Sequence, residues 1–152
     1  MSERVQRMRK FCGVETYCTG RKNMVQWTGF LKGLERLDER WTQVLDFLAE
    51  NAESADVTGF DRHMKDRQTE YEQMVVYLLF RHMINAFDEV DLAARAEFAA
   101  WGYEWIHMAG AAVWTVTGQF SFEDQVELVR LFSSEIEYSE ENLDAVLDEM
   151  VA

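Results

Sequence analysis

The stretch that most constrains this chain is the run from Val90 to Gly118, VDLAARAEFAAWGYEWIHMAGAAVWTVTG, which is apolar on nearly every side. A segment with that pattern has to sit inside something, and it reads as a buried central helix. Between Glu104 and Glu123 there is no formal charge, yet the apolar part stops at Gly118. That leaves about 14 residues where a bilayer crossing needs about 20, so the run predicts a core helix and no membrane span. Trp101, Trp105 and Trp114 supply bulk. Ala93, Ala96, Ala99, Ala100, Gly102, Ala109, Gly110, Ala111 and Ala112 supply thin surfaces where neighbouring helices can approach, the alternation that a dense core requires.

Around this helix the chain of 152 residues is long enough to bury roughly 68–70% of the surface its unfolded form exposes, without disulfide or metal staples. Its two cysteines, Cys12 and Cys18, match no zinc or haem spacing and read as reduced thiols, with a disulfide as the less favoured alternative. The start lacks a basic region followed by an apolar one, so no signal peptide is expected and the cytoplasm is the expected location. The net charge of −13 is uneven: residues 1–50 carry nine Lys/Arg against seven acids, whereas residues 119–152 carry Arg130 alone against ten acids. An acidic end of this kind repels nucleic acid and anionic membranes, and any partner it has is expected to be basic.

Proline is absent and no stretch alternates with period two, so helices and turns are expected throughout. Ser2 could cap a short helix through Phe11, followed by an irregular link that ends before Asn23. From Asn23 to Glu50, apolar residues from Met24 to Leu48 recur at steps of three and four, which predicts one long amphipathic helix. NAESADVTG, residues 51–59, reads as a linker. A helix restarts near Phe60 and runs through Tyr71, Met74, Val75, Leu78, Leu79, Met83, Ile84 and Phe87 as its inward face. Asp88 to Asp91 then cap the central helix, making an antiparallel hairpin. Gly118 ends that helix, and Ser121 with Asp124 begins the next, with Phe122, Val126, Val129, Phe132 and Ile136 expected to point inward. Ser139 offers another cap, with a kink near Tyr138.

Few residues suggest chemistry. Glu104-x-x-His107 puts a carboxylate and an imidazole on one helix face, the spacing that di-iron bundles use twice. One copy reads more simply as a core histidine hydrogen-bonded to Glu104, with no metal bound. Arg81 and His82 interrupt an apolar run, so a buried polar cluster of Arg81, His82, Glu104 and His107 is expected, with Glu104, Glu135 or Glu137 as the acid for Arg81. There is no nucleophile elbow and no phosphate loop.

The segment LVRLFSSEIEYSEENLDAVLDEM, from Leu128, resembles the C-terminal motif of the flagellin lysine-N-methylase family, through Ser133, Glu135, Ile136, Glu137, Ser139, Glu140, Glu141, Asn142 and Leu143. LERLDERW, YLLFRHMINAF and the small-residue-rich helix precede it in the family's order, so the resemblance covers about residues 22–150. Ser134 and Tyr138 stand where the family pattern has Arg and His. The motif makes Glu135, Glu137, Tyr138, Glu140, Glu141 and Asn142 candidate site residues. For a complete member the resemblance implies methyl transfer from S-adenosylmethionine, together with a cysteine-rich cluster holding a metal or an iron–sulfur centre. No such cluster is visible here.

The expected fold is all-α, a single bundle of about five helices in residues 22–152 around the 90–118 helix, with residues 1–21 as a short helix and link. The expected function is a lysine-N-methylase-like domain that helps to bind a lysine-bearing protein surface, or a cysteine-rich partner chain, without catalysing transfer by itself. The alternatives are a stand-alone metal or small-molecule enzyme using Glu104 and His107, and a homo-oligomeric interaction module.

Overall fold

The computed structural model describes residues 22–152 together with Arg7 and Lys10, which are helical and exposed. The expectations for Ser2 to Phe11, for Cys12 and Cys18 and for the link after them lie outside the described residues. Residues 22–152 form seven α-helices, the described residues include no strand, and the fold is all-α.

Helix α1, Met24–Lys32, opens on a capping box in which Asn23 accepts the Gln26 N–H and the Gln26 side chain accepts the Asn23 N–H. It stops at Gly33, and α2, Glu39–Asn51, starts afresh from the Asp38 cap. The single helix expected over 23–50 is therefore two. The Gly33 and Leu34 N–H groups reach back three residues, to Phe30 and Leu31, tightening the last turn. Leu37, in the break, is 69% exposed. The spacing of threes and fours runs across the break because periodicity cannot register a turn that happens to keep phase.

Helix α3, Val57–His63, is capped by Asp56, and a 3-10 turn, Lys65–Arg67, separates it from α4, Gln68–Met83. The long α5, Glu89–Thr117, is capped by Asp88, whose carboxylate accepts the Asp91 N–H at 2.8 Å. Gly118, at φ +72°, ends α5 in the left-handed region that a side chain would resist. The box of Ser121 and Asp124 opens α6, Phe122–Phe132. A π-helical turn, Ser133–Glu137, leads to α7, Glu140–Val151. The Ser139 hydroxyl accepts the Asn142 N–H there, so the cap and the kink stand where expected.

The described residues divide into two compact units. One consists of Arg67–Glu104 and Asp144–Ala152. In it Tyr71 meets Tyr103 edge-on and His82 meets Phe98 at 4.7 Å, so α4 and the first part of α5 run antiparallel, as the hairpin reading requires. Ala93, Ala96, Ala99 and Ala100 are buried on α5, where small side chains let another helix close in. Ile84 and Phe87, expected inward, are exposed because α4 ends at Met83 and they belong to the turn.

The other unit consists of Lys22–Asp66 and Trp105–Leu143. Trp105 lies between Trp41, at 5.1 Å, and Phe132, at 5.8 Å. Phe60 packs against Phe120, Trp114 and His107. A Cβ on Gly110 would stand 3.0 Å from both the Phe60 and Phe120 rings, so glycine is what lets them meet α5. Trp101 and Trp105 are buried as expected, whereas Trp114 is half-buried. Phe122 and Val126, expected inward, are exposed, and α6 instead buries Gln125, Leu128, Leu131 and Phe132. The helix has apolar side chains on two flanks, and the bulkier one went in.

Candidate functional site

The C-terminal motif lies in the second unit and begins with the π turn. The Tyr138 N–H bonds the Ser133 carbonyl five residues back, at 3.0 Å, which widens the turn. Glu135, Ile136 and Glu137 are consequently all buried, an arrangement that three successive positions of an exposed α-helix do not give. The Glu135 carboxylate, 1% exposed, accepts the backbone N–H groups of Leu37 at 2.9 Å and Asp38 at 2.8 Å. A buried carboxylate needs such donors, and these are N–H groups that the start of α2 cannot satisfy within its own helix. Asn142 Nδ2 donates to the Glu135 carbonyl at 2.7 Å and to the Glu35 carbonyl at 2.9 Å. Ser133 Oγ donates to Glu137 Oε2 at 2.5 Å. Glu135, Glu137 and Asn142 are thus held inside a corner that ties α7 and the π turn to the α1–α2 loop. Tyr138, Glu140 and Glu141 face solvent. Ser134 Oγ bonds the Leu131 carbonyl of its own helix.

Beside this corner lies a ring of four charges that periodicity could not reveal. Arg40 pairs with Asp38 at 2.8 Å and Glu127 at 3.0 Å, and Arg130 with Glu127 at 2.8 Å and Asp38 at 3.5 Å. The Arg40 guanidinium, aided by the Arg40 N–H and by Arg130, lowers the Asp38 pKa from 3.8 to about 2. Arg130 likewise holds Glu127 below the ordinary range, and both arginines are held more firmly protonated by their acids. Asp38 combines the N-cap of α2 with membership of this ring, while its own N–H belongs to Glu135.

A cleft of about 350 Å³ opens between α2, the end of α5, and α6. Its walls include Val44, Phe47, Leu48, Ala109, Val113 and Leu128. Its polar lining is Arg40, Gln43, Thr117, Asp124 and Glu127. Volume and lining are those of a pocket that accepts a mainly apolar group oriented by a few polar ones.

The members of the expected polar cluster fall in both units. His82 is buried with its ring against Phe98, and its carbonyl accepts from Arg95. Arg81 and Glu104 are half-buried in the same unit. His107 belongs to the other unit, and its Nε2 sits 2.7 Å from Asp61 Oδ1, on α3, a partner that was not expected. Asp61 was invisible to a search along one helix because it is 46 residues away. Glu135, proposed for Arg81, is committed to the α2 backbone.

The groups that the resemblance implies fit poorly here. An iron–sulfur cluster takes four thiolates, and the chain has two cysteines. Among the described residues no three His, Cys, Asp or Glu side chains converge as metal ligands. In the cleft, Arg40 is already paired to Asp38 and Glu127, which gives the carboxylate of S-adenosylmethionine no ready counter-ion. No helix of the described residues is long and apolar enough to cross a membrane.

The family model for the FliB lysine N-methylase C-terminal domain matches residues 13–152. The chain belongs to that family. No curated protein and no solved structure matches it. The match takes in the whole of both units from Lys22 onward, and so gives the π turn, the Glu135 corner and the cleft a place in a FliB lysine N-methylase C-terminal domain.

Proposed function

We propose that this FliB-type domain binds and orients a lysine-bearing protein, flagellin being the one the family implies, in the cytoplasm, and that it does not transfer methyl groups by itself. The supporting observation is the use made of the family motif. Its buried members, Glu135, Glu137 and Asn142, are spent on internal hydrogen bonds, so they cannot also approach a reacting atom. Its exposed members, Glu140 and Glu141, open α7 as an acidic surface. With a net charge of −13, such a surface attracts lysine side chains over a distance of about 8 Å at physiological salt. The test mixes the purified chain with flagellin and S-adenosylmethionine. Salt-sensitive capture of flagellin with no methyl-lysine by mass spectrometry is expected, and methyl-lysine formed by this chain alone would overturn the reading.

A further inference from the structure

The structure offers a specific seat for one cationic side chain. We propose that the cleft between α2, α5 and α6 takes the side chain of a lysine on the partner protein, its methylene stem along the apolar walls and its ammonium at Asp124. This rests on the reading that the partner is a lysine-bearing protein, and it adds where and how the lysine is held.

Three observations carry it. The walls, built by Val44, Phe47, Ala109, Val113 and Leu128, are aliphatic or aromatic, and at about 350 Å³ the cleft has room for a four-carbon stem with a neighbouring apolar side chain of the same partner. The charge at the mouth selects the sign of the group that enters. Arg40 and Arg130 are neutralised by Asp38 and Glu127 in the ring, so they offer no net attraction to an anion. Asp124 is then the lining acid outside that ring: its Oδ2 accepts the Ser121 N–H in the capping box, which leaves Oδ1 for an ammonium. An amine with an apolar stem satisfies walls and mouth together, because such side chains lie along apolar surface and keep the charge at its edge. A carboxylate of the same length would meet the Asp124 carboxylate with the wrong sign.

The experiment titrates the full chain with hexylamine, hexanoate and Nα-acetyl-lysine methylamide, followed by calorimetry and by the shifts of methyl resonances of Val44 and Val113. Hexylamine and the lysine derivative are expected to bind, hexanoate at least about tenfold more weakly, as a charge-assisted hydrogen bond implies. Asp124→Asn should erase that preference. Val113→Trp and Val44→Trp, from two walls, should each abolish binding while circular dichroism shows an unchanged helix content. Hexanoate binding as tightly as hexylamine, no binding of hexylamine, or binding unaffected by both tryptophans would overturn the proposal. Flagellin capture is measured in parallel. Capture by the unmodified chain that survives in Val113→Trp would overturn the cleft and leave the lysine-bearing partner standing, whereas amine binding without any capture would overturn the partner.

Discussion

Glu135 accepts the backbone N–H of Asp38 at 2.8 Å, so a carboxylate on the π turn caps a helix that lies 97 residues earlier in the chain. Asp38 in turn turns its own carboxylate to Arg40 and Arg130. One acid is buried for architecture and the other is half-buried among charges, and the two carry different predictions.

Asp38 should make the corner sensitive to acid. Its folded pKa of about 2 lies below its ordinary 3.8, so the stability it contributes is present above about pH 4 and is lost as pH falls toward 2. Asp38→Asn should flatten this part of the stability–pH curve in urea titrations. An unchanged curve in that interval would show that the ring does not form in solution.

Trp105 tests the core of the second unit. Replacing it by Ala removes the ring between Trp41 and Phe132 and should cost about 3–5 kcal/mol in urea unfolding, since α5 cannot collapse into the gap. Stability equal to that of the unmodified chain would remove this part of α5 from the core of that unit.

The apolar run that ends at Gly118 was legible in the sequence because a glycine after a helical pattern, followed by a Ser-x-x-Asp box, leaves little alternative. The Asp61 partner of His107 escaped for the opposite reason. Spacing along one helix identifies neighbours on that helix, and the acid at His107 Nε2 came from α3. The break at Gly33 kept the apolar phase and so left no trace in periodicity. The π turn also escaped: a one-residue widening of the helix alters which side chains are buried without altering composition.

Gly118 carries its own prediction. At φ +72° and with open space around it, Gly118→Ala meets strain and no clash, and should lose about 1–2 kcal/mol in thermal or urea unfolding. Gly29→Ala, also in open space but inside α1 with no positive φ, should gain a fraction of that, roughly 0.5–1 kcal/mol.

The most direct measurement compares the unfolding free energy of Glu135→Gln with that of the Glu140→Gln, Glu141→Gln double variant. If the family motif divides into an inner corner and an outer acidic surface, Glu135→Gln should lose about 2 kcal/mol, because its amide turns an N–H toward a buried N–H that the carboxylate had accepted. The double variant should lose no more than about 1 kcal/mol, the small electrostatic benefit of acids at a helix start, yet capture flagellin more weakly. A stable Glu135→Gln with unchanged unfolding, or a double variant that captures flagellin at full strength, would contradict that division.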